Sequence, residues 1–266
     1  MTTMLRTIRL YLRLLGTHLR ASLEYEADFW LMALGAAMTQ VAGFVFIAAV
    51  FLRVPDINGW TFWTVALLFG MVGFSEGVIN LFFEGMWWLA DLKHNGELDY
   101  LLVRPYPVAL QALSSQVGLN GLGNLLTGGA LIVAGLVNTD IDWSPATAVV
   151  AVLLFLGAMA ARVGIMLACN ATTFWLEGPT SMFAFAVHQV GDLARYPLAI
   201  YPVVLKGLLG VVLPFAFVSF FPVSWLTGEG GTGWLGLLTP LVGVYCVVLA
   251  AWVFRRGLTR YESAGN

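Results

Sequence analysis

The sequence predicts an all-α integral membrane protein with six transmembrane helices and an N-terminal helix that lies in the membrane surface. Of its 266 residues, 59% are hydrophobic and only 11% are charged, and the mean hydropathy is +0.84. Soluble domains carry roughly 25% charged residues, so a water-soluble core could not bury this much apolar surface. Composition therefore indicates a single membrane domain over residues 1–266.

Residues 1–27 contain the predicted interfacial helix. Apolar residues recur at spacings of three and four, and arginines occupy the other side of the helix. The apolar set is Leu5, Ile8, Leu12, Leu15 and Leu19, and the basic set is Arg6, Arg9, Arg13 and Arg20. This pattern is typical of a helix in the membrane surface with its arginines toward lipid phosphates.

Five further segments have the length and apolar character of a membrane span. A helix rises about 1.5 Å per residue, so roughly 20 residues cross a hydrocarbon core of about 30 Å. The predicted spans cover residues 29–52, 60–83, 110–137, 146–175 and 234–254. In the second span, Gly73 and Gly77 are predicted to share a face, a spacing that lets helices approach closely.

The position of the remaining span has two alternatives. The first places it at residues 181–196 and adds a helical hairpin, broken by two prolines, at residues 198–221. The second places the span at residues 198–221 and leaves the preceding segment as a surface helix. Hydropathy favours the second alternative. The prolines and Lys206 favour the first, because broken helices at membrane depth are tolerated where protein surrounds them.

The distribution of basic residues predicts the orientation, because lysine and arginine concentrate on the cytoplasmic side. With both termini inside, the outer connections carry Arg53, and under the first alternative also Arg195. The cytoplasmic set is Arg6, Arg9, Arg13, Arg20, Lys93, Arg104, Arg255, Arg256 and Arg260. Residues 84–107 are then a cytoplasmic loop.

That loop is the only long polar stretch in the first half of the chain. Its composition predicts a short amphipathic helical turn, ended by Gly96 as a left-handed cap, and a rigid extended exit through two prolines. Glu97 and Asp99 are expected close to Arg104. The loop is interpreted either as a docking site for a cytoplasmic ATPase or as an interfacial turn that closes two spans.

Four ionisable residues fall inside predicted membrane segments: Glu76, Arg162, His188 and Asp192. Charge inside a bilayer is costly unless it is paired or hydrated, so each carries a functional hypothesis. Glu76 and Arg162 are expected to pair, either as a structural link between two spans or as a polar site in a transport path. His188 and Asp192, four residues apart, are expected on one helix face.

Residues 96–107 read Gly-Glu-Leu-Asp-Tyr-Leu-Leu-Val-Arg-Pro-Tyr-Pro. They resemble the Gly-x-Leu-Asp-x-x-Leu-x-Arg-Pro-x-Pro signature of a branch of the type-2 ABC exporter permeases. The N-terminal helix, the six spans and the proline-marked segment before the last span are also similar to that family. The resemblance covers nearly the whole chain, and it favours the first alternative, with residues 198–225 as an extracellular re-entrant segment.

The resemblance implies the membrane subunit of an ATP-driven exporter. Two permeases, identical or different, would form the path in a bacterial plasma membrane, and two ATPase subunits would dock on their cytoplasmic loops. The docking residues implied are Leu92, Gly96, Glu97, Leu98, Asp99, Leu102, Arg104 and Pro105. The sequence has no Gly-x-x-x-x-Gly-Lys-[Ser/Thr] loop, so ATP and magnesium are expected on the partner ATPase and no cofactor on this chain.

Two other function classes compete with this one. A stand-alone secondary transporter or channel would use Glu76, Arg162, His188 and Asp192 for ion coupling, but we find no internal repeat of the kind such carriers often show. A membrane enzyme or assembly scaffold would require a polar catalytic cluster or metal spacing, and the sequence has no such pattern. Nucleic acid is not an expected partner. The glycine-rich third span and the aromatic spans favour amphiphilic or apolar cargo.

Overall fold

The computed structural model describes residues 2–176, 178 and 181–262, with side chains from Arg6 onward. In this part of the chain all regular elements are helical, apart from one isolated bridge between Ile57 and Trp60. The α-helices are α1 (Thr2–Leu23), α2 (Glu26–Phe51), α3 (Phe62–Phe83), α4 (Leu89–His94), α5 (Glu97–Leu102), α6 (Val108–Leu113), α7 (Asn120–Asn138), α8 (Pro145–Ala171), α9 (Met182–Asp192), α10 (Val203–Gly207), α11 (Phe220–Thr227) and α12 (Thr239–Leu258). The predicted all-α class is confirmed.

Five helical segments of the described chain, built on α2, α3, α7, α8 and α12, are long and apolar enough to cross a membrane. A sixth apolar stretch, Val203–Val212, is shorter. α2, α3 and α8 begin and end within a few residues of the predicted spans. Short 3₁₀ segments extend two of the long helices, Thr172–Phe174 after α8 and Gly233–Leu238 before α12.

The region predicted to hold the remaining span consists of short pieces. α9 has 11 residues and continues as a 3₁₀ turn to Arg195. The chain is then extended at Pro202, and it breaks again at Pro214 after a π-helical turn. Proline cannot donate the helical hydrogen bond, so residues 198–221 do not form the single helix that the second alternative required. The re-entrant path of this segment stays a prediction.

The predicted third span is interrupted. α6 ends at Leu113, and α7 begins only at Asn120. Two serine hydroxyls at the break donate back to backbone carbonyl oxygens, Ser114 to Leu110 and Ser115 to Ala112, both at 2.8 Å. The Gly118 N–H donates to the carbonyl of Asn80 at 2.8 Å, which holds the turn against α3. Local side-chain bonds of this kind compete with helix continuation.

The long helices pack in two pairs, α3 against α7 and α8 against α12, and α2 lies on α7. Glycines allow the close approach of the first pair: an ideal Cβ on Gly77 would lie 2.8 Å from the Gly121 carbonyl oxygen, and one on Gly70 would lie 2.9 Å from that of Gly128. Gly73 faces α2 instead, so the expectation that Gly73 and Gly77 share one packing face is wrong. The two glycines of α3 that approach the α7 backbone, Gly70 and Gly77, are seven residues apart.

Helix α1 lies against the end of the bundle at which α3 ends. The Tyr11 hydroxyl donates to the carbonyl of Phe82 at the end of α3. Burial raises the pKa of this phenol above its usual range, so it remains a donor at ordinary pH. The four arginines are exposed, and so are Ile8 and Leu12, as expected for a helix that presents apolar side chains to lipid. Leu5 lies outside the described side chains.

Candidate functional site

The cytoplasmic loop predicted at residues 84–107 folds as two short helices that meet at Gly96. A 3₁₀ turn, Glu84–Met86, leads from α3 to α4, and α4 ends just before Gly96. Gly96 has φ +72°, the left-handed conformation that glycine adopts without a Cβ penalty. The predicted left-handed cap is present, although the helix that it ends starts at Leu89 instead of near Glu84.

The inner side of the loop rests on a small hydrophobic core that is separate from the main one. Three helices of the loop region and the C-terminal ends of α8 and α12 contribute to it. Its buried members are Leu89, Leu92, Leu98, Ala112, Ala171, Phe174 and Phe254. The rings of Phe174 and Phe254 meet edge to face with centroids 5.4 Å apart. The loop is therefore packed against the ends of two membrane helices.

Two long polar side chains attach the loop further. Lys93 Nζ donates to the carbonyl oxygens of Thr173 at 2.7 Å and Leu176 at 3.2 Å, at the C-terminal end of α8. A lysine there also compensates the negative end of the helix dipole. Gln111 Nε2 donates to the carbonyl oxygens of Leu101 at 3.1 Å and Tyr106 at 2.9 Å. These bonds fix both the entrance and the exit of the loop.

The outer side of the loop exposes a row of apolar residues around one arginine. Val103 is 83% exposed and Tyr100 70%, and Leu102, Arg104 and Pro105 are exposed as well. Beside this row, a cavity of about 900 Å³ opens between the loop and α1, and Glu97 and Arg104 are among its lining residues. A contiguous exposed apolar patch outside the spans is typical of a protein-binding surface.

Of the eight predicted docking residues, five are accessible and three are buried. Glu97, Leu102, Arg104 and Pro105 are exposed and Asp99 is half-buried, so all five are accessible to a partner. The remaining three, Leu92, Gly96 and Leu98, are buried, and Leu98 is completely so. They face the protein, where they support the loop, and cannot contact a docked subunit in this conformation. Val103 and Tyr100, which the sequence analysis left out, are the most exposed apolar side chains of the loop.

Inside the bundle, the expected pair of Glu76 and Arg162 is present. Arg162 Nη2 donates to Glu76 Oε2 at 2.7 Å, and the arginine side chain is fully buried. His188 Nδ1 lies 3.3 Å from Arg162 Nη2 and 3.6 Å from Glu76 Oε2, so three helices contribute one residue each. Phe215 lies against the guanidinium with its ring centre 5.1 Å from Cζ. Such a cation–π contact partly replaces the hydration that the arginine has lost.

A second polar group lies at the end of the 3₁₀ turn that follows α9. Arg195 Nη2 is 3.2 Å from Asp192 Oδ1, and Arg195 Nη1 donates to Gln40 Oε1 on α2 at 3.1 Å. His188 and Asp192 both lie in α9, four residues apart, but they have different partners: His188 contacts Arg162 and Glu76, whereas Asp192 pairs with Arg195 on the turn that continues α9. Arg195 and Gln40 were not among the predicted site residues, although Gln40 is the one strongly polar residue in the middle of the first predicted span.

The described residues contain no group of three or more His, Cys, Asp or Glu side chains able to hold a metal ion. Cys169 and Cys246 are both free and buried. The chemistry that this part of the chain supports is ion pairing, packing and exposed protein-binding surface.

Comparison with known proteins identifies the family. A family model described as ABC-2 family transporter protein matches residues 37–265. No curated protein and no solved structure matches the chain.

Proposed function

The chain belongs to the ABC-2 transporter family and is a membrane-spanning permease component of an ABC transporter; on that premise we propose that it forms half of an exporter and docks a separate ATPase through its cytoplasmic loop. Family membership favours this function over a stand-alone secondary transporter or channel. Docking, export and the pairing of two permeases are the parts that we propose.

The observation that carries the proposal is the two-sided construction of the loop. Its outer row, Leu102 to Pro105, is exposed and largely apolar, whereas its inner side is packed and hydrogen-bonded. A single exposed apolar residue would be uninformative, but the adjacent exposed residues Leu102 and Val103 form a contiguous patch of the kind that is typical of a protein-binding surface. A rigid base with an exposed apolar surface is what a docking element requires.

The same construction supplies a mechanical route into the membrane. Lys93 and the small core join the loop to the cytoplasmic ends of α8 and α12. Higher in the bundle, Arg162 on α8 is paired with Glu76 on α3. A displacement of the loop by an ATPase would therefore act on both helix pairs through contiguous packed contacts, which are one means of coupling two distant sites.

The complete transporter that we propose contains two ATPase subunits, which bind ATP and magnesium, and a second permease, identical or homologous. The chain lies in a bacterial plasma membrane with both termini and the loop in the cytoplasm. The exposed arginines of α1 support this orientation, because such residues favour the cytoplasmic, anionic lipid surface.

Co-purification from native membranes tests the docking proposal. The loop variant combines Val103→Asp with Arg104→Glu, which inserts charge into the apolar row and reverses its cation. The control combines Arg53→Glu with Val54→Asp, the same changes at two exposed residues of the connection between α2 and α3. Mass spectrometry identifies the co-purified proteins, and ATP hydrolysis by the purified complex is measured.

We expect the wild-type chain and the control variant to retain an ATP-hydrolysing subunit, and the loop variant to lose it while inserting normally. Surface substitutions usually change stability by less than about 0.5 kcal/mol, so loss of the inserted chain itself would identify the loop as structural. Retention of the ATPase by the loop variant would overturn docking at this surface.

A further inference from the structure

A cavity of about 610 Å³ opens where α1 turns into α2, beside the end of α3 and the turn that precedes α7. Small-molecule sites occupy roughly 300 to 1,000 Å³, so this cavity has the size of a ligand site. It is distinct from the cavity beside the docking loop, although Trp88 borders both. Under the predicted orientation it lies at the cytoplasmic edge of the bilayer.

One end of the cavity contains a buried hydrogen-bond acceptor that lacks a donor. Glu84 Oε2 is buried and has no hydrogen-bond partner among the described residues. An ideal Cβ on Gly118 would lie 2.8 Å from that oxygen and 2.7 Å from Asn120 Oδ1, so the two oxygens converge on the space that Gly118 leaves open. Buried acceptors without partners are costly, and a donor that reaches both would remove that cost.

The charge of the cavity is negative. Asp28 and Glu84 are its acidic lining residues, and no basic residue lines it. Burial and, after it, the nearby charge of Glu76 raise the pKa of the Glu84 carboxyl to about 7, so a cation bound beside it would favour the ionised form. Tyr25 and Trp88 also line the cavity and offer aromatic faces, to which organic cations are attracted.

The other end of the cavity is apolar and open toward the membrane. Leu31 and Met32 line it from the first turns of α2 and are 69% and 55% exposed. Gly35 and Ala36 extend this wall with small side chains. Because α2 is a predicted span, these residues border hydrocarbon, and an alkyl chain can lie along them without leaving the lipid phase.

We infer that this cavity is a binding site for an organic cation that carries an apolar chain, with the cationic group between Glu84, Asn120 and Asp28 and the chain along Leu31 and Met32. The ligand class is an alkylammonium amphiphile that approaches from the inner leaflet. That it is transported as cargo rests on the exporter role proposed above.

The other apolar cavity of the bundle serves as a contrast. It measures about 320 Å³ between α3, α7, α8 and α11, and its lining, which includes Met71, Phe155 and Val223, contains no ionisable side chain. The cavity at Glu84 differs from this one because it combines acidic and apolar lining residues, and this combination selects a cationic amphiphile over a neutral apolar molecule.

Equilibrium binding of radiolabelled dodecylammonium, whose N–H groups can donate to both acceptor oxygens, to the full chain in phosphatidylcholine nanodiscs tests the site. Excess unlabelled ligand should compete, whereas dodecyl sulfate, which has the same alkyl group and the opposite charge, should not. Glu84→Gln should weaken binding about tenfold or more, as expected when one partner of a poorly hydrated charge pair is neutralised. Gly118→Ala should weaken it as well, because its methyl group occupies the space between the two acceptor oxygens.

Glu26→Gln is the matched control. It removes one acid from the same first turn of α2, two residues before Asp28, at an exposed position that does not line the cavity. We expect Asp28→Asn to weaken binding and Glu26→Gln to leave it unchanged. Equal binding by wild type, Glu84→Gln and Gly118→Ala, all monodisperse by size exclusion, would overturn the site, as would equal competition by dodecyl sulfate.

Two further arms identify the source of the ligand and its role. Phosphatidylethanolamine added to the nanodiscs should compete if a lipid headgroup fills the site, and its failure to compete would identify a free amphiphile. Stimulation of ATP hydrolysis in the complex, absent in Glu84→Gln, supports the cargo assignment. Binding without stimulation of ATP hydrolysis would overturn the assignment as cargo but would not contradict the binding site. Because binding is measured on the chain alone, it does not depend on ATPase docking.

Discussion

Glu76 on α3 accepts a hydrogen bond from Arg162 on α8, with 2.7 Å between Oε2 and Nη2, and this contact joins the two helix pairs of the bundle. Arg162 is fully buried, and its Nε and Nη1 have no partner among the described residues. The Coulomb attraction of the pair must therefore offset a large loss of hydration. Substitution of either residue is therefore expected to change how the two helix pairs are positioned relative to each other.

Removing one partner of this pair should destabilise the protein more than removing both. We expect Arg162→Met to lower the free energy of unfolding by about 3 to 5 kcal/mol, because Glu76 is left buried without its cation. Adding Glu76→Leu should restore much of that loss. Unfolding in mixed detergent micelles, followed by tryptophan fluorescence, measures both variants. If the effects of the two substitutions on the free energy of unfolding were additive, Glu76 and Arg162 would not be energetically coupled.

Gly73→Ala should displace Gln40 and thereby weaken the contact between α2 and Arg195. A Cβ at Gly73 would collide with the Gln40 side-chain amide, which accepts the hydrogen bond from Arg195. We expect a loss of about 1 to 3 kcal/mol, typical of overpacking, and partial rescue by Gln40→Ala. Gly35→Ala on α2 is the control, since no atom lies within 4 Å of its Cβ position. Thermal unfolding ranks the variants, and equal effects at Gly73 and Gly35 would contradict the packing that we describe.

Two adjacent glycines of α7 should respond differently to the same substitution. A Cβ on Gly128 would lie 2.5 Å from the backbone nitrogen of Phe74, whereas one on Gly129 makes ordinary 3.7 Å contacts with the Phe74 ring. Gly128→Ala should therefore force α3 and α7 apart and cost about 1 to 3 kcal/mol. Gly129→Ala should be neutral or slightly stabilising, because alanine is the better helix former. The yield of folded protein after heating distinguishes them, and comparable losses would count against the close approach.

Lys93→Met should separate ATPase docking from its effect on the membrane helices. The substitution replaces the lysine by an uncharged side chain of similar length and leaves the outer row of the loop unchanged. It removes the hydrogen bonds to the carbonyl oxygens of Thr173 and Leu176. We expect the ATPase to co-purify normally while transport falls several-fold relative to ATP hydrolysis. Lys206→Met, at an exposed lysine of the proline-broken segment, is the matched control. Unchanged coupling in Lys93→Met would remove this lysine from the proposed route.

Local features of this protein were predicted from the sequence more accurately than features that depend on contacts between distant residues. Hydropathy located α2, α3 and α8 within a few residues, because a span is specified by its own apolar composition. The break at residues 114–119 was not predicted. Ser114, Ser115 and Gly118 are held there by hydrogen bonds to backbone carbonyl oxygens, one of which lies on α3. Likewise, Gly73 and Gly77 are four apart in sequence but face different helices.

Composition and hydropathy were sufficient to establish a helical membrane protein and to identify the polar loop at residues 84–107, because both properties depend on residues close together in the chain. Only the folded chain decided which loop residues face outward and which polar partners meet. Leu98 is buried and Val103 exposed, and Arg195 meets Gln40 across 155 positions. The physical reason is that burial and ion pairing are set by packing between distant helices, which local periodicity does not encode.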